Sequence, residues 1–364
     1  MKTIVFHPDV FIFSDQEAYL LYNSTTYDIL EINHNSFWDR IFPALNQASS
    51  LYRISVPETV WANNSLALNG IIKGGFADVY DSDEPIPFSY APIPKFDVDL
   101  STIQSSHEKR EDGFILSFVR HITFILDGHC IIDRLDPLLN YLSYCPLISL
   151  NVSLVTRDGI GNYSSLFHRM ESICDNCHFY IQASFWSIEA VISFSHLFPN
   201  WHFHICGLVK DVSPYSATFP LQISVRDEDE LNQALHIKAE RVIPVYTNNN
   251  YPFLKSIMFT QRDDLSGLSK REIYIHKTLN SNFFGKLIVL PDGEVKSSQY
   301  GPCIGSVDAP LHSIVYKELI SDNSLWMRHR DKTECRDCRF RYLCPSISDY
   351  ELRLKNNRLC WRDK

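Results

Sequence analysis

Close to its C-terminal end the chain carries Cys335-Arg-Asp-Cys338-Arg-Phe-Arg-Tyr-Leu-Cys344, followed at a distance by Cys360. Two cysteines with two residues between them can turn both sulfurs toward one ion, and two more within reach can complete a tetrahedral sulfur shell. The spacing therefore predicts a metal or iron–sulfur site held by Cys335, Cys338, Cys344 and Cys360. A cluster of reduced thiols, or disulfides in a secreted chain, are the plainer alternatives. A shell closed by four thiolates has no open position for a substrate, so its roles would be folding, electron relay or interface stability.

Other reactive side chains are scattered. Asp127, His129 and Cys130 follow an apolar run, and Arg157 and Asp158 follow the next one, where an acid/base pair could work. Met170, Cys174 and Cys177 fall at C-x3-C-x2-C spacing with a thioether in the first place, a coincidence at the end of a predicted helix. Cys145 and Cys206 lie in apolar surroundings and read as core. Trp326, Phe340, Tyr342 and Trp361 stand in a locally basic tail and could stack nucleobases, though packing around the metal is the plainer role.

The elements that position these groups are spread over 364 residues, enough for two or three units. A net charge of −9 and a sequence pI near 5.9 argue against general attraction to nucleic acid or to an anionic membrane. No apolar run approaches the ~20 residues of a membrane helix. The first apolar run is broken at His7, Pro8 and Asp9, too early for a secretory signal, so the ten cysteines are expected in a reducing cytoplasm.

Residues 1–95 read as a small α+β unit, winged-helix-like, with short aromatic and β-branched strands, a helix capped by Ser36 and a second helix over 60–72. The segment Leu51, Tyr52, Arg53, Ile54, Ser55, Val56 is predicted as a strand with an open edge, able to accept an extended peptide. Prolines 85, 87, 92 and 94 and the polar residues up to Asp112 mark a linker. Over 113–279, near-continuous apolar runs alternate with helical segments, which implies an α/β class with a parallel sheet or partial barrel. Residues 280–364 begin with a Pro291-Asp292-Gly293 hairpin and a helix near 311–321, and end in the cysteine tail.

The hairpin, Gly305, a helix, Trp326 and C-x2-C-x5-C together resemble the SPASM domain appended to radical-SAM peptide-modifying enzymes. Leu20-Leu-Tyr-Asn, Phe284-Gly-Lys-Leu and Cys344-Pro-Ser-Ile-Ser-Asp-Tyr-Glu, with the terminal Leu359-Cys360, resemble the pseudo-radical-SAM proteins of GG-type ribosomal peptide natural-product systems. That resemblance spans essentially the whole chain. It implies a partial (β/α) radical-SAM-like barrel over 113–279, a precursor-peptide recognition unit over 1–95 and a SPASM-like cysteine domain over 280–364.

It also implies losses. Radical-SAM enzymes place C-x3-C-x2-C after the first barrel strand, so that three thiolates leave one iron open for S-adenosylmethionine. Here Cys130 is followed at those positions by Arg134 and Pro137, and one thiolate cannot hold that cluster. In the tail, Ser348 replaces a cysteine of a second cluster, and Ser297 and Ser298 stand where another is expected, with Cys303 nearby. The resemblance thus implies one [4Fe-4S] cluster on Cys335, Cys338, Cys344 and Cys360, with zinc the alternative, and no S-adenosylmethionine. The expected function is a catalytically silent homologue that binds a ribosomal precursor (leader) peptide, an active radical-SAM maturase, or both. No nucleic-acid or membrane partner is expected. Non-radical chemistry at the barrel mouth and a metal-stabilised nucleic-acid module are the alternatives.

Overall fold

The computed structural model describes residues 1–46, 51–81, 84–92, 99–128, 134–156, 160–356 and 359–362. The chain opens with β1 (Lys2–Phe6), β2 (Val10–Ser14), β3 (Ala18–Asn23) and β4 (Ile29–Asn33). β2, β3 and β4 form an antiparallel meander. β2 and β3 are apolar at nearly every position because both of their faces are buried. Val10, Ile12, Tyr19 and Leu21 enter the N-terminal core, and Phe11, Phe13, Leu20 and Tyr22 face the other way.

Next come α1 (Trp38–Leu45), β5 (Arg53–Val56), α2 (Glu58–Asn63), α3 (Ser65–Lys73) and β6 (Ala77–Asp81). Ser36 does not cap α1; in the turn that leads into the helix the Asn35 Oδ1 accepts from the Phe37 and Trp38 amides, both at 3.0 Å. Pro43 stays inside the helix, which ends two residues later and so loses little to the missing donor. The single helix expected over 60–72 is split at Asn64, whose side chain donates back to the Val60 carbonyl at 3.0 Å. β5, β1 and β6 form a second antiparallel sheet in that order, with β5 at one edge.

The expected linker contains a helix, α4 (Leu100–Glu108), followed by α5 (Asp112–Leu116). Asp99 caps α4 by accepting from the Ser101 amide at 3.0 Å, and Ile103 is buried. His107 stacks on Tyr316 with ring centroids 3.7 Å apart. The polar composition of this stretch concealed one buried stripe.

The largest sheet has nine strands. β7 (His121–Leu126), α6 (Asp136–Leu142), β8 (Ser149–Leu154), α7 (Ser164–Ile173), β9 (Cys177–Gln182), α8 (Ile188–Leu197) and β10 (His202–Leu208) alternate strand and helix. α9 (Val209–Val212), β11 (Leu221–Val225), α10 (Glu228–His236) and β12 (Arg241–Pro244) continue the pattern. α11 (Tyr251–Met258) and α12 (Lys270–Thr278) then lead to β13 (Lys286–Val289), β14 (Glu294–Lys296), β15 (Cys303–Ser306), α13 (Leu311–Ile320) and α14 (Asp349–Leu354). β7 to β12 lie side by side in chain order, all parallel, as successive strand–helix–strand units arrange them. β13 adds in parallel on the free side of β7, and β14 and β15 follow antiparallel.

These strands were expected to be apolar on both faces. Only one face is. Ile122, Phe124, Leu126, Leu150, Val152, Leu154, Phe179 and Ile181 pack under the helices, whereas the register places His121, Thr123, Ser149, Asn151, Ser153, His178 and Tyr180 on the opposite face. α14 reaches both ends of the sheet from that polar side. Tyr350 donates to the Pro244 carbonyl of β12 at 2.8 Å, and Asp349 accepts from Ser298 just beyond β14. Among the described residues, no helix is long and apolar enough to cross a membrane.

Candidate metal centre at the joint between tail and meander

Tight turns present the tail thiols. The Cys338 amide donates to the Cys335 carbonyl at 2.9 Å, and the Cys344 amide to the Phe340 carbonyl at 3.0 Å. Cys360 arrives by another route. Its segment is pinned beside Thr260, whose amide donates to the Leu359 carbonyl at 3.1 Å and whose carbonyl accepts from the Trp361 amide at 3.2 Å. Cys335, Cys338 and Cys360 line one cavity of about 280 Å³ together with Glu334, Asp337 and Arg362.

Cys344 lies deeper. Burial pushes its thiol well above the ordinary range, with Arg330 pulling the other way and the other three thiols adding to the rise. Burial likewise raises Cys335. Two guanidiniums are placed to offset thiolate charge. Arg362 lies 3.6 Å from the Cys338 sulfur, and Arg330 acts electrostatically on Cys335 and Cys344. Four neighbouring thiols beside fixed cations are a donor set that suits Zn²⁺ or an iron–sulfur cluster. As the side chains stand, no three His, Cys, Asp or Glu among the described residues are arranged to hold a metal ion. The thiols are neighbours rather than ligands in place.

Beneath the thiols runs a buried polar brace. The side chains of Arg330 and Glu351 are 9% and 3% exposed and pair at 2.6 Å, and Arg330 donates twice to the Pro345 carbonyl, at 3.0 and 2.7 Å. Ser348 caps α14 in a reciprocal box with Glu351. Ser297 and Ser298 are buried, and Cys303 is exposed, its thiol 3.1 Å from the Gly305 carbonyl. Serine at 348 and 298 thus does structural work through its hydroxyl.

What the sequence did not reveal is where the tail docks. Arg339 bonds Asp15 at 2.7 and 2.8 Å, Glu17 at 3.0 Å and Glu31 at 2.6 Å, all on the β2–β3–β4 meander. Arg362 bonds Asp15 and Glu17, each at 2.8 Å. Burial alone would raise the Asp15 carboxyl. Arg362, the Glu17 and Ala18 amides and Arg339 outweigh it and hold that carboxyl far below the usual range. Below these ion pairs, Phe11, Phe13, Leu20 and Tyr22 of the meander pack on Tyr274, Phe340, Tyr342 and Leu343. The available signal was slight: an Asp15-Gln-Glu17 turn between two apolar strands, and an arginine next to two of the cysteines.

Trp326, Phe340 and Tyr342 are buried, so none of these three rings is open to a base. Cys130, His129, Arg157 and Asp158 lie outside the described residues. Arg134 donates to Asp308 and to the Asp292 carbonyl of the hairpin, and Pro137 occupies the first turn of α6. Met170, Cys174 and Cys177 are buried in the main core. Within the expected peptide-binding segment, Arg53, Ile54, Ser55 and Val56 form β5. Leu51 precedes it, and Tyr52 is buried at φ +54° with its hydroxyl donating to the Val10 carbonyl at 2.6 Å.

No protein-family model matches this chain, and no curated protein matches it. Among solved structures it is similar to SuiB of Streptococcus suis. Against SuiB bound to S-adenosylmethionine, the TM-score is 0.40 at 10% identity over 98% of this chain and 97% of that chain. A second SuiB structure gives 0.38 at 9% identity over 98% and 97%. SuiB bound to its precursor peptide SuiA gives 0.39 at 12% over 99% of each. Likeness at this level transfers no residue's role.

Proposed function

We propose that this chain is a catalytically silent homologue of radical-SAM/SPASM peptide-modifying enzymes, and that it binds a precursor peptide as an added strand during maturation of a ribosomal peptide. The observation that carries this reading is the edge of β5. Phe6 bonds Tyr52, so by antiparallel alternation residues 54 and 56 face β1, and the amides of Arg53 and Ser55 point away from the sheet. An extended peptide adds its main chain to such amides and takes selectivity from alternate side chains.

The silent character is supported by the residues at the motif positions. Arg134 has its guanidinium committed to Asp308 and Asp292, and Pro137 shapes a helix start, so both serve structure. An active maturase that shares the peptide is the second partner in this reading. The four tail cysteines would hold one [4Fe-4S] cluster or one zinc ion, and that ion would stabilise the tail against the meander.

Ser55→Pro tests the docking claim, because it removes one outward donor while leaving the bonds to β1. Binding of fluorescently labelled leader peptides from ribosomal precursor peptides would be measured by anisotropy for the full chain, Ser55→Pro and Ser55→Ala. The expected result is binding by the wild type and Ser55→Ala and a loss of about 10-fold in Ser55→Pro, the loss of one to two hydrogen-bond equivalents. Equal binding by all three would refute strand addition at β5.

A further inference from the structure

Arg362, beside the Cys338 thiol, and Arg339, the residue that follows Cys338, both also hold the meander. Asp15, 4% exposed at its side chain, accepts from Arg339 and from Arg362. The same Arg362 nitrogen that bonds Asp15 at 2.8 Å lies 3.6 Å from the Cys338 sulfur. One guanidinium thus bridges a carboxylate of the N-terminal lobe and a thiol of the tail. Arg339 directly follows Cys338 in the chain, and Cys338 and Cys344 pack against the apolar cluster that joins the two.

We infer that metal binding by the four tail cysteines and docking of the β2–β3–β4 meander are one linked equilibrium, with Asp15 as the positioning residue that couples them through Arg362 and Arg339. The inference rests on reading Cys335, Cys338, Cys344 and Cys360 as a metal-binding set. Four thiolates around an ion or cluster core of charge +2 leave a net charge of −2, which fixed cations next to the sulfurs stabilise. Asp15 does not touch a thiol. It fixes the guanidinium that does, and its own amide partners at Glu17 and Ala18 keep its carboxylate oriented.

Linkage makes the effect reciprocal. Whatever factor the docked meander contributes to metal affinity, the bound metal returns to the meander as protection from opening. Metal loss then loosens the lobe that carries β5, so the state of the tail site sets how rigidly the peptide-binding edge is held.

The test uses the full chain, purified anaerobically and reconstituted in parallel with zinc and with iron and sulfide. Metal release to a chelator is followed by absorbance for the wild type, Asp15→Asn, Arg362→Met and, as a control on an exposed N-terminal residue, Glu58→Gln. Hydrogen exchange of the β2, β3 and β4 amides is measured with and without metal. Asp15→Asn and Arg362→Met are expected to weaken metal retention about 10- to 100-fold, the range for residues that orient a ligand, while Glu58→Gln matches the wild type. Removing metal from the wild type is expected to cut protection of the meander amides by a similar factor. A wild type that holds metal, with Asp15→Asn and Arg362→Met releasing it at the wild-type rate, overturns the coupling and leaves the metal reading standing. A wild type that takes up neither zinc nor iron overturns both. Two variants are used so that a folding defect in one still leaves the other to decide.

Discussion

Replacing Arg330 by methionine attacks the brace under the tail. Arg330 and Glu351 are the most deeply buried opposite charges in the tail region, and Arg330 satisfies both the Glu351 carboxylate and the Pro345 carbonyl between Cys344 and α14. Burial works against the charge of each, and their mutual attraction offsets it only while both are present. In Arg330→Met, one carboxylate oxygen keeps the Ser348 amide at 2.8 Å and hydroxyl at 3.2 Å, and the oxygen that faced Arg330 loses its guanidinium donor. Breaking a buried pair in this way costs about 3–5 kcal/mol, a large share of the roughly 5–15 kcal/mol that holds a typical domain together. Arg330→Met/Glu351→Met removes both charges and leaves apolar volume, so it is expected to recover most of the single-mutant loss, with a coupling energy of about 2 kcal/mol or more. Urea unfolding followed by circular dichroism on wild type, both single variants and the double variant provides the cycle. Running it with and without chelator separates the brace from the thiols beside it. A single variant within about 1 kcal/mol of wild type, or a double variant whose loss equals the sum of the singles, would refute this account.

Three other outcomes are expected. Burial first, then His204 and His202, holds the His178 imidazole down to about 4, whereas in the unfolded chain it titrates near 6.5. The unfolded state therefore binds more protons between those values, and the contribution of His178 is full above pH 6.5 and lost as pH falls toward about 4. In urea-midpoint titrations His178→Gln should flatten that acid limb, and an unchanged limb would count against the assignment. Gly285 adopts φ +74° at the start of β13, and a Cβ there would lie 2.7 Å from the Phe118 carbonyl. Gly285→Ala should lower stability by about 1–3 kcal/mol in the same urea assay, and wild-type stability would show that the backbone accommodates it freely. Incubation of reconstituted protein with S-adenosylmethionine and dithionite should yield no 5′-deoxyadenosine above a protein-free control in chromatography, and its formation would overturn the silent reading.

Period and punctuation made much of the architecture legible. Apolar runs at regular spacing between helical segments located β7 to β12, and Pro291-Asp292-Gly293 located the β13–β14 hairpin, because both signals are local. The cysteine spacing located one candidate site for the same reason: turns inside a short segment decide where its sulfurs point. What failed were readings in which composition stood in for packing. The polar stretch before Asp112 hid α4, and strands that read as apolar have a polar face, since a few His, Ser and Asn at alternate positions escape notice in an apolar run.

The partners of the tail lay beyond sequence altogether. Arg339 meets Asp15 across 324 positions and Arg362 meets it across 347. Nothing in the spacing of either partner encodes that meeting, which exists only because the second face of the meander needs cover and the turns of the cysteine segment supply it. By itself the sequence determined that the tail can bring four thiols near one another. Only the tertiary structure decided that they gather against the N-terminal lobe, where desolvated ion pairs and shared apolar burial turn a local cysteine motif into a joint.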